Sequence, residues 1–273
     1  MDDGAALAVD VQIVGIMLVH NEDEFVETAL RSAAGFCDRV HVADHMSTDS
    51  TWDVVRAVAS ELDHVQPVRV RATGDSHALV EGYAGTDTWV FGVDGDELYD
   101  PVRLAGFREE LLRGAYREFF SIKSNVLNVT ELDRERSVAT GYLAPPSRSV
   151  TKLFNFAAID SWTQCFRQYM HDGEIVFRPG YDRERIGMLG DRFTWEETPL
   201  RCLHVCFLRR SSLDPHGSAG HTRPSPIELG GKRRSRFTEL VERIRPGQQT
   251  SAWKDDKYRR GDLVTKSTEP FLR

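Results

Sequence analysis

Asp94 and Asp96 stand two residues apart with Gly95 between them, at the end of the apolar run Trp89-Val90-Phe91-Gly92-Val93. Carboxylates so spaced can turn toward one ligand set where a strand ends, and the glycine permits a tight bend. Their hard oxygens suit Mg2+ or Mn2+, and such a cation can bridge the two phosphates of a diphosphate. A D-x-D tripeptide also occurs wherever acids cap a turn, so its surroundings decide its meaning. A second carboxylate, Asp44, closes the run Arg39-Val40-His41-Val42-Ala43. At least one of Ser47, Thr48 and Asp49 is expected to cap the helix that follows. Asp44 is not needed as a cap and is placed to accept hydrogen bonds from a base N–H or a ribose hydroxyl. Further along, His204 lies inside the apolar stretch Leu203 to Leu208, with Arg209 and Arg210 after it. Its imidazole is either a hydrogen-bonded core group or a ligand for Mn2+, and arginine, Arg209 first, can neutralise phosphate charge.

The elements that must position these groups alternate over the first hundred residues. Gln12 to Val19 is a nearly continuous apolar run, expected of a strand buried on both faces. Asn21 reads as the N-cap of the next helix, with Glu24 at the capping-box position and a helical spacing of Phe25, Leu30 and Ala33 up to Gly35. Arg39–Asp44 is a second strand, and Val54, Val55, Val58 and Leu62 mark a second helix. Val68-Arg69-Val70-Arg71 reads as a third strand, Ser76 to Tyr83 as a short helix, and Trp89–Val93 as a fourth strand. This alternation predicts an α/β fold with a mostly parallel central sheet flanked by helices. Ligands of such sheets bind beyond the carboxyl ends of the strands. Those ends carry His20-Asn21-Glu22, Asp44, Thr73-Gly74-Asp75 and Asp94-Gly95-Asp96.

Three segments together, Val19-His20-Asn21-Glu22, Asp44 through Thr51, and Asp94-Gly95-Asp96-Glu97, resemble the nucleotide-binding half of an inverting family 2 glycosyltransferase with the GT-A (Rossmann-like) fold. The resemblance covers residues 12–100 and fades beyond them; His45-Met46 departs from the acid or Asn and Gly of many relatives. It implies that Asn21, Glu22 and Asp44 hold base and ribose, that Asp96 ligates the metal, and that Asp94 faces ribose or metal. It also implies that His204 is a late metal ligand. The cofactor implied is Mn2+ or Mg2+, and the donor a UDP-, GDP- or dTDP-sugar. Val19, His20, Asp75 and Gly95 complete the donor-binding set, with Arg209, Lys257 and Arg259 on the diphosphate. Displacement with inversion requires a carboxylate to take the acceptor's proton. His171-Asp172-Gly173-Glu174, Asp191 and Glu196-Glu197 are candidates, with Asp191 and Glu196 preferred.

Residues 1–100 thus form the donor-binding half, 101–213 an acceptor-binding and catalytic half of the same domain, and 214–273 a loop and basic segment. Val102–Tyr116 reads as a helix and Phe119–Lys123 as a strand. The Gly/Pro/Ser-rich stretch Asp214–Gly231 reads as a mobile loop, Arg236–Arg245 as a basic helix. With Trp253 and Tyr258 among its cations, the C-terminal segment could close over a bound diphosphate. The net charge of −7 disfavours a nucleic-acid partner. Four cysteines without C-x-x-C spacing, an acidic start and no long apolar run point to a cytoplasmic chain with no membrane span. The acceptor is then a soluble saccharide or small metabolite, and an oligomer is possible. Two other classes fit a nucleotide-binding sheet: a nucleotidyltransferase, whose Gly-rich loop would replace the acidic His20–Glu24, and a binding module without catalysis.

Overall fold

The structure is a computed structural model that describes residues 11–165, 173–214 and 257–272. Strand β1 (Gln12–Val19) is buried along almost its whole length and leads to helix α1 (Val26–Ala34). Then come β2 (Arg39–Asp44), α2 (Thr51–Glu61), β3 (Val65–Arg69), β4 (Thr88–Asp94), β5 (Glu97–Tyr99) and α3 (Pro101–Leu112). Among the described residues nine further strands follow: β6 (Ser121–Lys123), β7 (Asn125–Asp133), β8 (Val138–Leu143), β9 (Thr151–Asn155), β10 (Ile159–Thr163), β11 (Glu174–Phe177), β12 (Ile186–Met188), β13 (Arg201–His204) and β14 (Leu263–Ser267).

A seven-stranded sheet runs in the order β12-β6-β9-β4-β1-β2-β3. Its pairs are parallel except those made by β9, which is antiparallel to β4 and β6. The mixed α/β architecture with a mostly parallel central sheet is as expected. Burial follows the two-residue period of a strand. Ile13, Met17 and Val19 pack into a core shared with α1, α2 and α3, while Val14 and Ile16 point into a second core. That second core is aromatic, built on Phe120, Phe154, Phe156 and Trp162, and the β10-β11 hairpin belongs to it. A five-stranded sheet, β14-β8-β7-β13-β5, shares the first core.

Several local expectations are corrected. Asn21 does not cap α1: Phe25 occupies the N-cap with no side-chain hydrogen bond, and Asn21 adopts φ 50°. An Asn tolerates that left-handed backbone, and its side-chain oxygen bridges instead to the Thr48 N–H at 2.7 Å. The N-cap of α2 is Ser50, with no side-chain hydrogen bond, and not Ser47, Thr48 or Asp49, although Asp49 accepts from Thr51 N at 3.0 Å. Strand β3 starts three residues earlier than the alternation suggested, Ser76–Tyr83 falls within two 3-10 turns, and α3 ends at Leu112. Asp75 folds back on the Arg71 and Ala72 N–H groups, which tightens that stretch. The second sheet was not expected, because its strands mix apolar and polar residues without clean alternation. His171, Asp172, residues 215–231 and the basic stretch 236–245 lie outside the described residues.

Candidate functional site

The sheet register brings the candidate residues to one edge. Val19 at the end of β1 pairs with Asp44 on one side, and the preceding Leu18 pairs with Asp94 on the other. Asp94-Gly95-Asp96 is also where the chain leaves the first sheet and enters the second, since Glu97 opens β5. In the second sheet His204 pairs with Glu97 on one flank and Asn128 on the other. The turn thus lies at the seam of the two sheets, and β13 delivers the imidazole to it. The Val205 N–H closes the seam by donating to the Asp96 carbonyl at 2.9 Å.

His204 is buried, and its tautomer follows from its neighbours. Asn128 Nδ2 donates to Ser147 Oγ at 2.9 Å, which turns Asn128 Oδ1 toward His204 Nδ1, also at 2.9 Å. An amide oxygen can only accept, so Nδ1 carries the proton and Nε2 carries a lone pair. Burial pushes the imidazole down to about 4 against the pull of Asp96, so it is neutral at physiological pH. Nε2 lies 3.8 Å from Asp96 Oδ2. That is too long for a hydrogen bond. A neutral imidazole fixed through its other nitrogen is the usual form of a metal-binding histidine.

Two cations, the buried Lys152 and the half-buried Arg210, partly offset the acids. Lys152 at the start of β9 places Nζ 2.9 Å from Asp94 Oδ2 and 2.8 Å from Glu97 Oε1. Burial opposes its charge, but Asp94 and Glu97 outweigh that and hold the ammonium protonated. Glu97 also accepts from Tyr99 Oη at 3.0 Å and from Asp94 N at 3.2 Å; burial pushes its carboxyl up to about 8 in spite of Lys152. Arg210 Nη1 lies 2.6 Å from Asp96 Oδ2 and 3.1 Å from Glu22 Oε1. Four carboxyl groups (Glu22, Asp94, Asp96, Glu97) therefore face two cations (Lys152, Arg210). Four minus two leaves an excess of two negative charges when all are ionised, and of one when Glu97 is protonated. Gly95 is required by close approach: a Cβ there would lie 2.3 Å from Glu22 Oε2. Asp94 keeps 35% of its side chain exposed, so the cluster opens to solvent at that point.

Asp44 is fully buried, accepting from Ser47 N at 3.2 Å and pairing with Arg69 Nε at 3.2 Å. It organises the turn that follows, where Ser47 Oγ accepts from Asn21 N. His20 Nδ1 donates to the His45 carbonyl at 2.6 Å, and the His45 N–H donates to Val19 O. Asp75 is exposed on its own turn. Arg209 turns outward, 3.4 Å from Glu24, and donates to the Ser211 and Ser212 carbonyls. The arginine that reaches the acids is its neighbour, Arg210. On the far side, Tyr258 sets its ring edge-on to His204 at 5.4 Å, with its carbonyl held by Ser147 Oγ at 2.6 Å. Lys257 O accepts from Arg148 N, and the Arg259 guanidinium lies 4.5 Å from the Phe207 ring centroid.

Asp191 and Glu196 are both exposed. Asp191 closes the 3-10 turn directly after β12, which is parallel to β6 and so ends on the same edge of the sheet as Asp94. Three strand spacings, about 14 Å, separate β12 from β4. Glu196 instead pairs with Lys266 of β14 at 2.7 Å, a contact that lowers its pKa. The sequence reading missed Lys152 and Asn128, quoted Glu97 without a role of its own, and put Arg209 ahead of Arg210. Lys152 had a signal: a lone cation in the apolar run Val150 to Phe154 needs a buried counter-charge. Asn128 had none.

No family model and no curated protein matches the chain. Solved structures match part of it. Glucosyl-3-phosphoglycerate synthase from Mycobacterium tuberculosis, in complex with phosphoglyceric acid, is 23% identical over 42% of this chain and 44% of its own, with a TM-score of 0.33. A mannosyltransferase from Pyrobaculum calidifontis, in complex with GDP-Man and Mn2+, is 19% identical over 41% of this chain and 35% of its own, with a TM-score of 0.34. A 4-diphosphocytidyl-2C-methyl-D-erythritol synthase from Anaerococcus prevotii is 12% identical over 56% of this chain and 74% of its own, with a TM-score of 0.35. The chain spans less than half the length of the first two. Among the described residues no helix is long and apolar enough to cross a membrane, and no cluster of three or more His, Cys, Asp or Glu side chains is arranged to hold a metal ion.

Proposed function

We propose that the chain transfers a sugar from a nucleoside diphosphate sugar to a hydroxyl or amine of a soluble saccharide or small metabolite, with inversion and with Mn2+ or Mg2+. The observation that carries this is His204: neutral, fixed through Nδ1, its Nε2 lone pair 3.8 Å from Asp96, at the turn that follows Asp94 at the carboxyl end of β4. Asp96 and His204 would hold the metal with Asp94 beside them, and the surplus negative charge of the cluster suits a divalent cation. Bound there, the ion supplies Lewis-acid stabilisation to the departing diphosphate.

The protein's own groups do the rest. Val19, His20, Asn21 and Glu22, with the turn organised by Asp44, form the wall against which the nucleoside rests, with Asp75 beyond it. Asn128 keeps His204 in its ligating tautomer, and Lys152 holds Asp94 and Glu97 in place. Lys257 and Arg259, on the segment that covers His204, face the diphosphate and exclude water, with Arg209 at the margin. Asp191 is the better base of the two carboxylates, since it ends on the donor's edge of the sheet while Glu196 is engaged by Lys266. Residues 1–100 bind the donor and 101–213 form the acceptor-binding and catalytic half, with the described residues 257–272 beside them.

The test is release of nucleoside diphosphate from UDP-, GDP- and dTDP-sugars, with and without Mn2+, in the full chain and in Asp96→Asn. Metal-dependent release that the substitution abolishes supports the assignment. Unchanged Mn2+-dependent donor affinity in Asp96→Asn would sink it. Pyrophosphate release from a nucleoside triphosphate and a sugar phosphate would identify a nucleotidyltransferase, and donor binding without turnover over a broad acceptor panel a binding module.

A further inference from the structure

Arg210 sits on the oxygen that the metal would need. Asp96 Oδ2 faces His204 Nε2 at 3.8 Å and is also 2.6 Å from Arg210 Nη1. A divalent cation on that oxygen and a guanidinium in contact with it would repel each other at short range in a largely buried site, where screening is poor. That repulsion disfavours holding both on the one oxygen. The Arg210 backbone is not the part that can move: its carbonyl accepts from Glu24 N at 3.1 Å. The next residues are stapled by Ser211 Oγ to Asp49 at 2.6 Å and by Ser212 N to Asp23 at 2.7 Å. The side chain can swing about that fixed point. A guanidinium released beside the acidic turn has the planar fork that phosphate oxygens accept in pairs.

From this geometry we propose that Arg210 is an internal counter-ion, exchanged for the divalent cation on Asp96 and then transferred to the donor's diphosphate. The proposal rests on the metal assignment above and adds a consequence to it. Metal alone binds weakly, because it must evict a cation already in place. Metal and donor bind cooperatively, because the evicted cation gains a new partner, and the coupling is reciprocal.

The experiment is Mn2+ binding to the full chain without donor, followed by the electron paramagnetic resonance signal of unbound Mn2+. Arg210→Gln should bind Mn2+ on the order of tenfold more tightly than the unmodified chain. Arg210→Lys, which keeps the charge, should fall between the two. With saturating Mn2+, UDP and GDP should bind Arg210→Gln on the order of tenfold more weakly. Mn2+ affinity in Arg210→Gln equal to or below that of the unmodified chain overturns the exchange. Equal Mn2+ affinity in the unmodified chain and in Asp96→Asn would instead remove the metal assignment itself. If Arg210→Gln fails to fold, the side-chain Nε–Hε resonance of Arg210 in the unmodified chain gives the same answer. It should shift on titration with Mg2+, and a resonance unchanged at saturation overturns the proposal.

Discussion

Substituting Gly95 by Ala tests whether the acidic turn is built around Glu22. A methyl group at residue 95 would lie 2.3 Å from Glu22 Oε2 and 3.0 Å from Val19 Cγ1. A normal carbon–oxygen contact is about 3.4 Å, so the carboxylate must retreat by about 1 Å. A flexible surface glutamate would do so at little cost. Glu22 is buried, its N–H donates to Thr51 Oγ1 at 2.7 Å, and its carboxylate pairs with Arg210 at 3.1 Å. Retreat by that distance stretches the Arg210 contact to about 4 Å, beyond hydrogen-bonding range. The loss should be about 2 kcal/mol, typical of one methyl forced into a packed site. For a chain of this size that is a fall in Tm of about 4–8 °C. The decisive assay is a double-mutant cycle by thermal unfolding. In a Glu22→Ala background the clashing oxygen is gone, and Gly95→Ala should then cost less than about 1 kcal/mol, leaving the Val19 contact alone. Equal Tm losses in both backgrounds would refute the idea that Glu22 dictates glycine at this position.

Three further outcomes are expected. Lys152→Met leaves the Asp94 and Glu97 carboxyls without their cation and should cost about 3 kcal/mol in denaturant unfolding, with part regained when Glu97→Gln is added; no loss would show that Glu97 is neutral without the lysine. Asn128→Leu removes the acceptor that fixes the His204 tautomer, and should weaken Mn2+ binding about 10- to 100-fold by calorimetry with a smaller effect on Tm; intact metal affinity would break the link. His41 has its pKa lowered by burial, with Arg39 adding to it, and its buried Nε2 finds no hydrogen-bond partner among the described residues. A depressed histidine stabilises the fold fully above its unfolded pKa and less as pH falls through it. Thus stability should decline below about pH 6.5, and the decline should be shallower in His41→Val.

The carboxyl end of the first sheet was legible because β1 and β4, largely buried on both faces, are spelled as apolar runs and β2 alternates. β1, β2 and β4 each end on the polar residue that reaches the site, Val19-His20, Asp44 and Asp94. The second sheet was much less so. β7 and β8 carry Asn128, Thr130, Glu131 and Thr140 among their apolar residues, and β14 exposes alternate positions. Helix α1 was found with its boundary misplaced, since an Asn before acids reads as a cap when its carboxamide in fact spans to the next loop. Arg209 and Arg210 are chemically identical neighbours. Only the chain direction after β13 decides that one faces Glu24 and the other Asp96. His204 could be suspected from its apolar setting, whereas the oxygen that sets its tautomer comes from a strand 76 residues away.

The passage of the chain from one sheet to the other through Asp94-Gly95-Asp96 has a practical consequence for fragment complementation. Severing the backbone at Gly95 would leave Asp94 on a fragment with Asp44 and Glu22, and Asp96 on one with Lys152, His204 and Arg210. In the first fragment Glu22 and Asp94 would lose their cations, whereas in the second Asp96 and Glu97 would keep Lys152 and Arg210. Their reassembly should therefore respond to ionic strength.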